Sequence, residues 1–595
     1  MNHAFLIFKI SFLFLIIFLY GVPEAQSQLP PAFDSIENLR YAEDSRTRKY
    51  LAPLKVFWKS TEDPNFIKNE NHLLGPPIGQ ALLTSQQDFF VMKSTDDEFP
   101  GILLDFGINL HGGIQLVTGM TASKEPVKVR IRFGESVTEA MSEIDTVTGA
   151  TNDHAIRDMV IPLPWLGKIE LGNTGFRYAR IDLVDPNREL LLKEANAILV
   201  YRDIPYLGSF KSSDDRLNRI WDMGAYTVHL NMQEYLWDGI KRDRLVWVGD
   251  MHPEVATINT VFGYNEVVPK SLDLIRDITP IPEWMNGIST YSMWWIIIHR
   301  DWYMHHGNKE YLAEQKEYLT RLVKHMETKI EGNRENLDGT RFLDWPSSEN
   351  PEAIHAGLQA MLVWAFDAAE EIFAELGDEK MEQFCNETAK RLRTYQPEPN
   401  GSKQAASLMA LRGIMEPVEA NRQIISKGGV KDFSTFYGYY MLEAKAKAGD
   451  YQGAMDNIKE YWGGMIDLGA TTFWEDFNIE WLENAGRIDD FVPSDKVDVH
   501  ASYGGYSYEK LRHNLSHGWA SGPTAWMSRH VLGIKVISPG SEEIVIQPHL
   551  GNLEWAEGTY PTPHGVLYVR HEKQADGSVK TEFEAPDEIA VTLKK

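Results

Sequence analysis

Ser212-Ser-Asp-Asp-Arg-Leu-Asn-Arg-Ile-Trp-Asp-Met-Gly-Ala-Tyr-Thr-Val228 is the stretch at which the sequence changes from strand patterns to helix patterns. Its apolar residues from Leu217 to Val228 recur at the three- and four-residue spacing of one helical face. Ser212 or Ser213 stands where a capping hydroxyl is expected. The stretch therefore predicts an amphipathic helix that opens a helical domain.

From this helix to residue 530 the pattern stays mainly helical, with turns recurring at intervals of roughly 70 residues. The turns are His306-Gly-Asn-Lys, Leu376-Gly-Asp-Glu and Ala448-Gly-Asp-Tyr. In each, the glycine suits the left-handed end of one helix, and the Asn or Asp suits the cap of the next. Two helical hairpins fit between successive turns. The spacing predicts a toroid of paired helices, an (α/α) barrel, over residues 206–530.

Strand patterns lie on the N-terminal side, in residues 30–205. Ile102–Leu110 and Gly113–Thr118 are rich in branched residues, with a His-Gly-Gly turn predicted between them, and Val127–Phe133 alternates apolar and polar residues. Many short strands separated by Gly and Pro predict a jelly-roll-like β-sandwich.

A second strand-rich region, residues 531–595, follows the helices. Ile534–Ser538, Glu543–Gln547 and Gly565–His571 read as strands separated by turns. They predict a small C-terminal β-sandwich.

The length and charge bound the class of protein. A chain of 595 residues is too long for one core and indicates about three domains. The formal net charge of -26 argues against a nucleic-acid partner and against an anionic membrane surface. Cys385 is the only cysteine, so no internal disulfide forms, and its helical surroundings predict a small buried apolar residue.

The N-terminus is typical of an export signal. Lys9 precedes the apolar run Ile10–Tyr20, and Ala25 fits a cleavage site, so residues 1–25 are interpreted as a signal peptide. No later segment is apolar enough to span a membrane. We therefore expect an exported mature chain, periplasmic or secreted, without a membrane span.

The stretch Trp237–Glu254 combines charged and aromatic residues unusually densely. Asp238, Arg242 and Asp250 can bind sugar hydroxyls, and Trp247 can stack on the apolar face of a sugar ring. The alternative interpretation is a buried ion-pair network at a helix end.

Two further segments carry candidate residues. Glu475 lies in Gly469-Ala-Thr-Thr-Phe-Trp-Glu-Asp-Phe477, where flanking aromatics suit a carboxylate for acid or base catalysis. The alternative is a carboxylate at a helix N-terminus. His517 lies in a small-residue turn, His513-Asn-Leu-Ser-His517-Gly, and is either structural or part of the site. Trp284 and Trp345 are candidates for an aromatic pocket wall.

Because the sequence has no His-Glu-x-x-His motif, Cys-His cluster, phosphate loop or dinucleotide fingerprint, no metal or cofactor is expected.

Three segments, in this order, resemble the α-L-rhamnosidases of glycoside hydrolase family 78. Asp238-Gly-Ile-Lys-Arg-Asp-Arg-Leu-Val-Trp-Val-Gly-Asp250 is similar to the family's Asp-Cys-Pro-Gln-Arg-Asp-Glu-Arg-Leu-Gly-Trp-Thr-Gly-Asp signature. Thr471-Thr-Phe-Trp-Glu475 resembles its Thr-x-x-Trp-Glu segment, and Asn514-Leu-Ser-His517-Gly resembles its Asn/Ser-x-x-His-Gly segment. The resemblance covers nearly the whole mature chain and implies a multidomain α+β protein, with a central (α/α)6 barrel between N- and C-terminal β-sandwich domains.

The resemblance also implies residue roles. In the family, an acidic residue of the first motif is the general acid and the Glu of the Trp-Glu segment activates water, with inversion at the anomeric carbon. Glu475 then corresponds to the base. The sugar contacts would come from residues of all three segments and the aromatic wall: Asp238, Arg242, Trp247, Asp250, Trp284, Trp345 and His517. The implied activity is exo-acting release of terminal α-L-rhamnose from an oligosaccharide or polysaccharide.

The first motif departs from the family at two positions. It is one residue shorter, reading Arg242-Asp-Arg-Leu where the family reads Arg-Asp-Glu-Arg-Leu, so we predict that Asp243 takes the acid role. Its carboxyl should lie roughly 6.5–9.5 Å from that of Glu475, as inversion requires. Lys241 replaces a frequent Gln, and an added cation near the sugar would favour a sulfated or uronate-containing glycan, of algal or plant origin.

Two other functions are compatible with the sequence. One is an exo-glycosidase on the same scaffold that acts on another sugar or an unsaturated uronide. The other is a non-catalytic saccharide-binding homologue that has lost its acid.

Overall fold

The computed structural model describes residues 29–83, 89–505 and 509–594. The predicted signal peptide, residues 1–25, lies outside the described residues. The chain divides into two units, Met1–Ser45 and Arg46–Lys595. The described part of the first unit contains the 3₁₀ turn Pro31–Phe33.

The second unit begins with a nine-stranded antiparallel sheet that has one main apolar core and two smaller apolar clusters. Its strands are β1 (Thr47–Leu51), β2 (Lys55–Lys59), β3 (Ile67–Lys68), β4 (Phe90–Lys93), β5 (Gly101–Thr118), β6 (Val127–Gly134), β7 (Asp158–Leu163), β8 (Gly167–Leu183) and β9 (Glu189–Tyr201). The main path of the sheet is β3-β4-β9-β5-β8-β6-β7, with β1 on β9 and β2 on β5. A short helix, α1 (Val137–Met141), follows β6.

The turn predicted at His111-Gly-Gly is wrong, because β5 continues through it as one long bulged strand. Gly112 explains the continuity. A Cβ at this position would lie 1.9 Å from the carbonyl oxygen of Ile198 on β9, so only glycine lets the neighbouring strand approach. The bulges bend the strand and curve the sheet.

Helices occupy the chain from Asp215 to Val531. They are α2 (Asp215–Asn231), α3 (Met251–Val261), α4 (Val267–Asp277), α5 (Ser289–His306), α6 (Lys309–Glu314), α7 (Lys316–Glu327), α8 (Pro351–Glu375), α9 (Glu379–Arg393), α10 (Lys403–Leu411), α11 (Pro417–Ala420), α12 (Gly438–Lys447), α13 (Tyr451–Asp467), α14 (Val499–Ser502) and α15 (Gly522–Trp526). Two short π-helical turns, Asn421–Ile425 and Met527–Val531, extend α11 and α15. Two two-stranded ladders lie in the connections: β11 (Ile330–Glu331) with β12 (Arg334–Glu335), and β13 (Ala485–Gly486) with β14 (Val497–Asp498).

The three turn signals are confirmed in their local chemistry. Gly307, Gly377 and Gly449 have φ of 67°, 66° and 82°, the left-handed conformation that ends a helix. The residue after each glycine caps the next helix through its side chain: Asn308, Asp378 and Asp450.

The predicted cap of α2 is wrong by one or two residues. Asp214, not Ser212 or Ser213, accepts hydrogen bonds from the backbone N–H groups of Arg216 and Leu217. Ser212 instead ends a strand, β10 (Ser209–Ser212), that pairs with a strand near the C-terminus.

The C-terminal region forms two small sheets. Its strands are β15 (Ile534–Val536), β16 (Glu543–Ile546), β17 (Trp555–Thr562), β18 (Gly565–Lys573), β19 (Val579–Glu584) and β20 (Ala590–Leu593). One sheet has the order β10-β17-β18-β19 and the other β15-β16-β20. Because β10 precedes the first barrel helix, this domain is joined to both ends of the helical region.

One continuous apolar cluster runs through the helices and the C-terminal sheets, and the N-terminal sheet has a core of its own. Cys385 is buried in the helical core, as predicted. The architecture is a central (α/α)6 barrel with a β domain on each side. Within the described ranges, no helix combines the length and the apolar character needed to cross a membrane.

Candidate active site

The loop between α2 and α3, residues 232–250, forms the floor of the site and is held closed by Asp238. The Asp238 carboxylate accepts a hydrogen bond from the backbone N–H of Leu245 at 3.0 Å. The backbone carbonyl of Asp238 accepts hydrogen bonds from the Asn231 side chain at 2.9 Å and from the backbone N–H of Gly518 at 2.9 Å. These bonds place the first and third sequence motifs side by side.

Arg242 lies at the centre of the site and joins two carboxylates. Its Nη1 donates to Oδ1 of Asp243 at 2.9 Å, and its Nη2 donates to Oε2 of Glu475 at 2.5 Å. Its Nε donates to the carbonyl of Arg512 at 3.0 Å, and its backbone N–H donates to the Asn514 side chain at 3.1 Å. The side chain is 4% exposed, so this guanidinium holds a fixed position between the two predicted catalytic residues.

Asp243 lies at a strained turn. Asp243 and the following Arg244 both have φ of 56°, in the left-handed region that non-glycine residues rarely occupy. His154 from the N-terminal domain contacts this turn, with its Nδ1 3.2 Å from both the backbone N and Oδ1 of Asp243. Arg244 donates to the carbonyls of His154 and Asn173, both at 2.7 Å. The turn is therefore fixed from the N-terminal domain.

Glu475 is buried and anchored on one side only. Its Oε2 accepts from Arg242 and, at 3.3 Å, from the backbone N–H of Asn514. Its backbone N–H donates to the Asn514 carbonyl at 3.0 Å, and its own carbonyl accepts from the Trp519 indole at 2.9 Å and from the Thr435 hydroxyl. Oε1 accepts no hydrogen bond from any residue that the structure describes, and Glu475 lines a small cleft with Trp345.

His517 lies between two carboxylates. Its Nε2 is 3.1 Å from Oδ2 of Asp250, and its Nδ1 is 3.9 Å from Oε1 of Glu475. Tyr291 donates to the other oxygen of Asp250 at 2.7 Å. Burial alone would lower the pKa of His517, but Glu475 and Asp250 outweigh that effect and raise it above the ordinary value.

In this region, the surroundings of several carboxylic acids favour their protonated, neutral form. Burial raises the pKa of Asp250, and it raises the pKa of Asp238 and Glu254 well above their ordinary values. The negative charge of Asp250 adds to the effect on both Asp238 and Glu254. Like-charged carboxylates in one buried cluster therefore disfavour one another's ionisation.

The three predicted tryptophans differ in position. Trp345 lines the cleft beside Glu475. The Trp247 ring lies edge-on to Tyr291, with 6.1 Å between centroids, and its buried indole nitrogen has no partner among the described residues. Trp284 does not join them: its indole donates to Asp338 at 2.8 Å and its ring packs on His325. A pocket-wall role for Trp284 therefore has no contact to support it.

The prediction that Lys241 faces an anionic sugar is wrong in its geometry. Its Nζ lies 3.2 Å from Glu135 and 3.4 Å from Glu139 of the N-terminal domain. It also donates to the carbonyls of Leu511 and His513 at 3.0 and 2.6 Å. The Lys241 ammonium therefore neutralises buried carboxylates at a domain interface and points away from the cleft.

Sequence reasoning missed four residues of the site. Asn514 anchors both Arg242 and Glu475, and Tyr291 orients Asp250. Asp344 and Asp476 line the cleft with Glu475. Burial raises the pKa of Asp344 to about 7, and burial together with the Glu475 charge raises the pKa of Asp476 to about 6.

The missed residues differ in how visible they were. Asp476 follows Glu475 directly in the sequence, and Asn514 belongs to the third motif, so both were within reach. Tyr291 and Asp344 belong to no motif. Nowhere in the described ranges do three or more His, Cys, Asp or Glu side chains form a group able to hold a metal ion.

A barrel of paired helices lies between two β domains, and buried carboxylates line the cleft beside Trp345. Residues 205–398 match the family model described as the bacterial alpha-L-rhamnosidase 6 hairpin glycosidase domain, and residues 533–594 match the bacterial alpha-L-rhamnosidase C-terminal domain. In these two regions the chain is similar to the α-L-rhamnosidases of glycoside hydrolase family 78.

Individual relatives are distant. An alpha-L-rhamnosidase of Alteromonas sp. (strain LOR) is 24% identical over 533 residues, which are 80% of this chain and 54% of the relative. The crystal structure of a GH78 family rhamnosidase of Bacillus sp. GL1 has a TM-score of 0.68 at 22% identity, over 86% of this chain and 55% of the other. A Klebsiella oxytoca rhamnosidase with rhamnose bound has a TM-score of 0.62 at 19% identity, over 82% and 96%. The chain thus spans about half the length of the curated relative.

Proposed function

We propose that the protein is an α-L-rhamnosidase that releases terminal α-L-rhamnose from an oligosaccharide or polysaccharide with inversion at the anomeric carbon. The observation that carries the proposal is the single guanidinium of Arg242 between Asp243 and Glu475. Because both contacts use one planar group, the bonded carboxylate oxygens are no more than about 8 Å apart. That limit is compatible with the roughly 6.5–9.5 Å between the carboxyl groups of an inverting pair.

Glu475 is proposed as the general base. Arg242 and the backbone N–H of Asn514 hold Oε2, which leaves Oε1 to accept a proton from a water molecule. His517, on the Oε1 side of this carboxylate, is held in place by Asp250 and is positively charged over a wider pH range than an ordinary histidine. An imidazolium there stabilises negative charge on Glu475 and binds a sugar hydroxyl.

Asp243 is proposed as the general acid, in place of the glutamate that the first motif lacks. The left-handed turn at Asp243 and Arg244 brings the shorter side chain to the other end of the Arg242 guanidinium from Glu475. His154 lies 3.2 Å from its carboxylate oxygen, and burial lowers the pKa of His154, so the imidazole is neutral near pH 7. A proton on Asp243 is then delivered to the glycosidic oxygen as water attacks from the Glu475 side.

The sugar itself is proposed to bind between Asp250, His517 and Trp345. Carboxylate and imidazole groups bind hydroxyls, and an indole packs on the apolar face of a ring. Exo action is proposed because the small cleft beside Glu475 suits a terminal residue more than an internal one. A preference for sulfated or uronate-containing glycans stays a prediction that Lys241 does not support, because its ammonium is bound to Glu135 and Glu139.

The test is hydrolysis of 4-nitrophenyl α-L-rhamnoside and of rhamnose-terminated oligosaccharides, followed by proton NMR from the first turnovers. We expect β-L-rhamnose as the first product, with mutarotation to the α anomer later. Initial α-L-rhamnose would contradict the inverting pair. Turnover of a different aryl glycoside in a panel, without turnover of the rhamnoside, would establish another exo-glycosidase. Saccharide binding without turnover, unchanged in Asp243→Asn and Glu475→Gln, would establish a non-catalytic homologue.

A further inference from the structure

A large cavity lies at the end of the barrel away from the candidate active site. Its volume is about 470 Å³, far larger than the cleft at Glu475. Asp250 immediately precedes α3 and Tyr291 lies in the first turn of α5, whereas the cavity is lined mostly by the later turns of both helices, with His252 as its one lining residue from the first turn of α3. From Tyr291 to Asp301 the helix rises about 15 Å. Strands β15 and β17 of the C-terminal domain also line the cavity, and the cavity shares no lining residue with the cleft at Glu475.

The cavity wall carries more positive than negative charge on a strongly acidic protein. Its ionised lining residues are five cations and four anions: Arg300, Arg412, Lys447, Arg529, Lys535, Asp301, Asp367, Glu371 and Glu443. Asp367 is already paired with Arg393, which lies outside the wall, so the cationic excess is greater than the count suggests. The whole chain has a net charge of -26, so the charge of the cavity lining is opposite in sign to that of the chain.

Among the described residues, no carboxylate forms a salt bridge with Arg412. Its guanidinium lies 4.0 Å from the ring centroid of Trp364, and its buried Nε has no hydrogen-bond partner in the part of the chain that the structure describes. Burial lowers the pKa of Arg412 to about 10, against the opposing effect of Asp367 and Asp301. A desolvated cation without a partner is costly, and a bound anion removes that cost.

Arg529 also directs its donors into the cavity. Its one ion pair among the described residues is with Glu443 at a long 3.9 Å, and 54% of its side chain is accessible. Asp301 lies close enough to both Arg412 and Arg529 to affect their titration. The two guanidinium groups and Asp301 line the same cavity.

The rest of the wall fits a hydroxylated ring more than a simple anion. Asp301 and Glu443 provide acceptors for hydroxyl groups, and they would repel a dianion more than a monoanion. Trp364 and Tyr439 provide aromatic surface. A volume of about 470 Å³ lies within the range of small-molecule sites and holds a monosaccharide with bound water.

We propose that this cavity is a second ligand site, which binds a hexuronate with its carboxylate between Arg412 and Arg529 and its hydroxyls on Asp301 and Glu443. The site is distinct from the cleft at Glu475, and the proposal does not depend on the reaction assigned to that cleft. Its function would be to hold an acidic sugar of the glycan, or to sense such a sugar as a product.

The test is isothermal titration calorimetry of the full chain with D-glucuronate, in the presence and absence of saturating L-rhamnose. We expect one site per chain that binds D-glucuronate and is not displaced by L-rhamnose. D-Glucose, D-lactate and inorganic phosphate should each bind at least tenfold more weakly. Arg412→Met and Arg529→Met should each weaken D-glucuronate binding at least tenfold, whereas Arg422→Met, at an exposed arginine paired with Glu419, should leave it unchanged.

Several results would overturn the proposal. They are the absence of D-glucuronate binding, displacement by L-rhamnose, equal binding of lactate or phosphate, and wild-type affinity in both cavity variants. Since the one ion pair of Arg529 among the described residues is the long contact with Glu443, Arg529→Met is expected to fold even if Arg412→Met does not, and it then decides the test alone. Activity towards an aryl rhamnoside should be retained in Arg529→Met, which separates this site from the proposed catalytic pair.

Discussion

Replacing Glu475 with glutamine tests the assignment of the base. The amide keeps the shape of the side chain and a carbonyl oxygen for the Asn514 N–H, but it cannot take a proton from water. General base catalysis contributes about 10²–10⁴ in rate, so kcat should fall by that factor.

Removing one partner of a buried ion pair costs about 3–5 kcal/mol. Because Arg242 keeps its 2.9 Å bond to Asp243, we expect the low end of that range, which lowers the melting temperature while leaving the protein folded at assay temperature.

The assay is initial-rate hydrolysis of 4-nitrophenyl α-L-rhamnoside, with circular dichroism to confirm the fold of each variant. Glu480→Gln is the matched control, since Glu480 lies in the same segment but is exposed and pairs with Lys431 on the surface. A second variant, Glu475→Ala, opens space for azide, and added azide should restore turnover and give β-L-rhamnosyl azide. Activity of Glu475→Gln within about tenfold of wild type would refute the assignment, as would an α-azide product.

Three further predictions concern the acid, the histidine and the interface lysine. Asp243→Asn should lower kcat about 10²–10⁴-fold for an alkyl rhamnoside, but far less for 2,4-dinitrophenyl α-L-rhamnoside, whose leaving group needs no proton. His517 has a raised pKa in the folded state, so its charge stabilises the fold below the unfolded value of about 6.5 and the effect is lost as pH rises through the folded pKa. The difference in melting temperature between wild type and His517→Gln should shrink over that window. Lys241→Met should cost about 3–5 kcal/mol of stability and affect neutral and anionic rhamnosides equally, whereas Lys431→Met, at an exposed pair, should cost under about 1 kcal/mol.

Each of these predictions has a contrary outcome. Equal losses of Asp243→Asn on both leaving groups would remove Asp243 from the acid role. A melting-temperature difference for His517→Gln that stays constant or grows above about pH 6.5 would contradict the raised pKa. A selective loss of activity on anionic substrates in Lys241→Met would return the lysine to the cleft.

The barrel was predictable because its signals are local. The helical period of Leu217–Val228 and the glycine turns at Gly307, Gly377 and Gly449 depend on neighbours within one or two turns of helix. The cap of α2 was misplaced for a non-local reason. Ser212 belongs to a strand that pairs with residues near 556, more than three hundred positions later, and this pairing shifts the helix start to Asp214.

The candidate site was predictable in its members but not in their directions. The three motifs placed Arg242, Glu475 and His517 in one region. In the structure, Arg242 and His517 both lie within hydrogen-bond or ion-pair distance of Glu475. Lys241 is adjacent to Arg242 in sequence, yet their side chains face opposite sides of the loop. Which side a loop residue faces depends on the strand and helix packed behind it, here the N-terminal domain, and no local pattern encodes that.

The shortened first motif makes the N-terminal domain part of the proposed acid site. Two consecutive left-handed residues, Asp243 and Arg244, cost about 1–3 kcal/mol each, and such strain persists only where surrounding contacts fix it. Those contacts come from His154 and from the carbonyl of Asn173, both on the sandwich and not on the barrel. Since Asp243 reaches Arg242 only in this conformation, the β domain sets the position of the proposed acid, while the barrel alone holds the base.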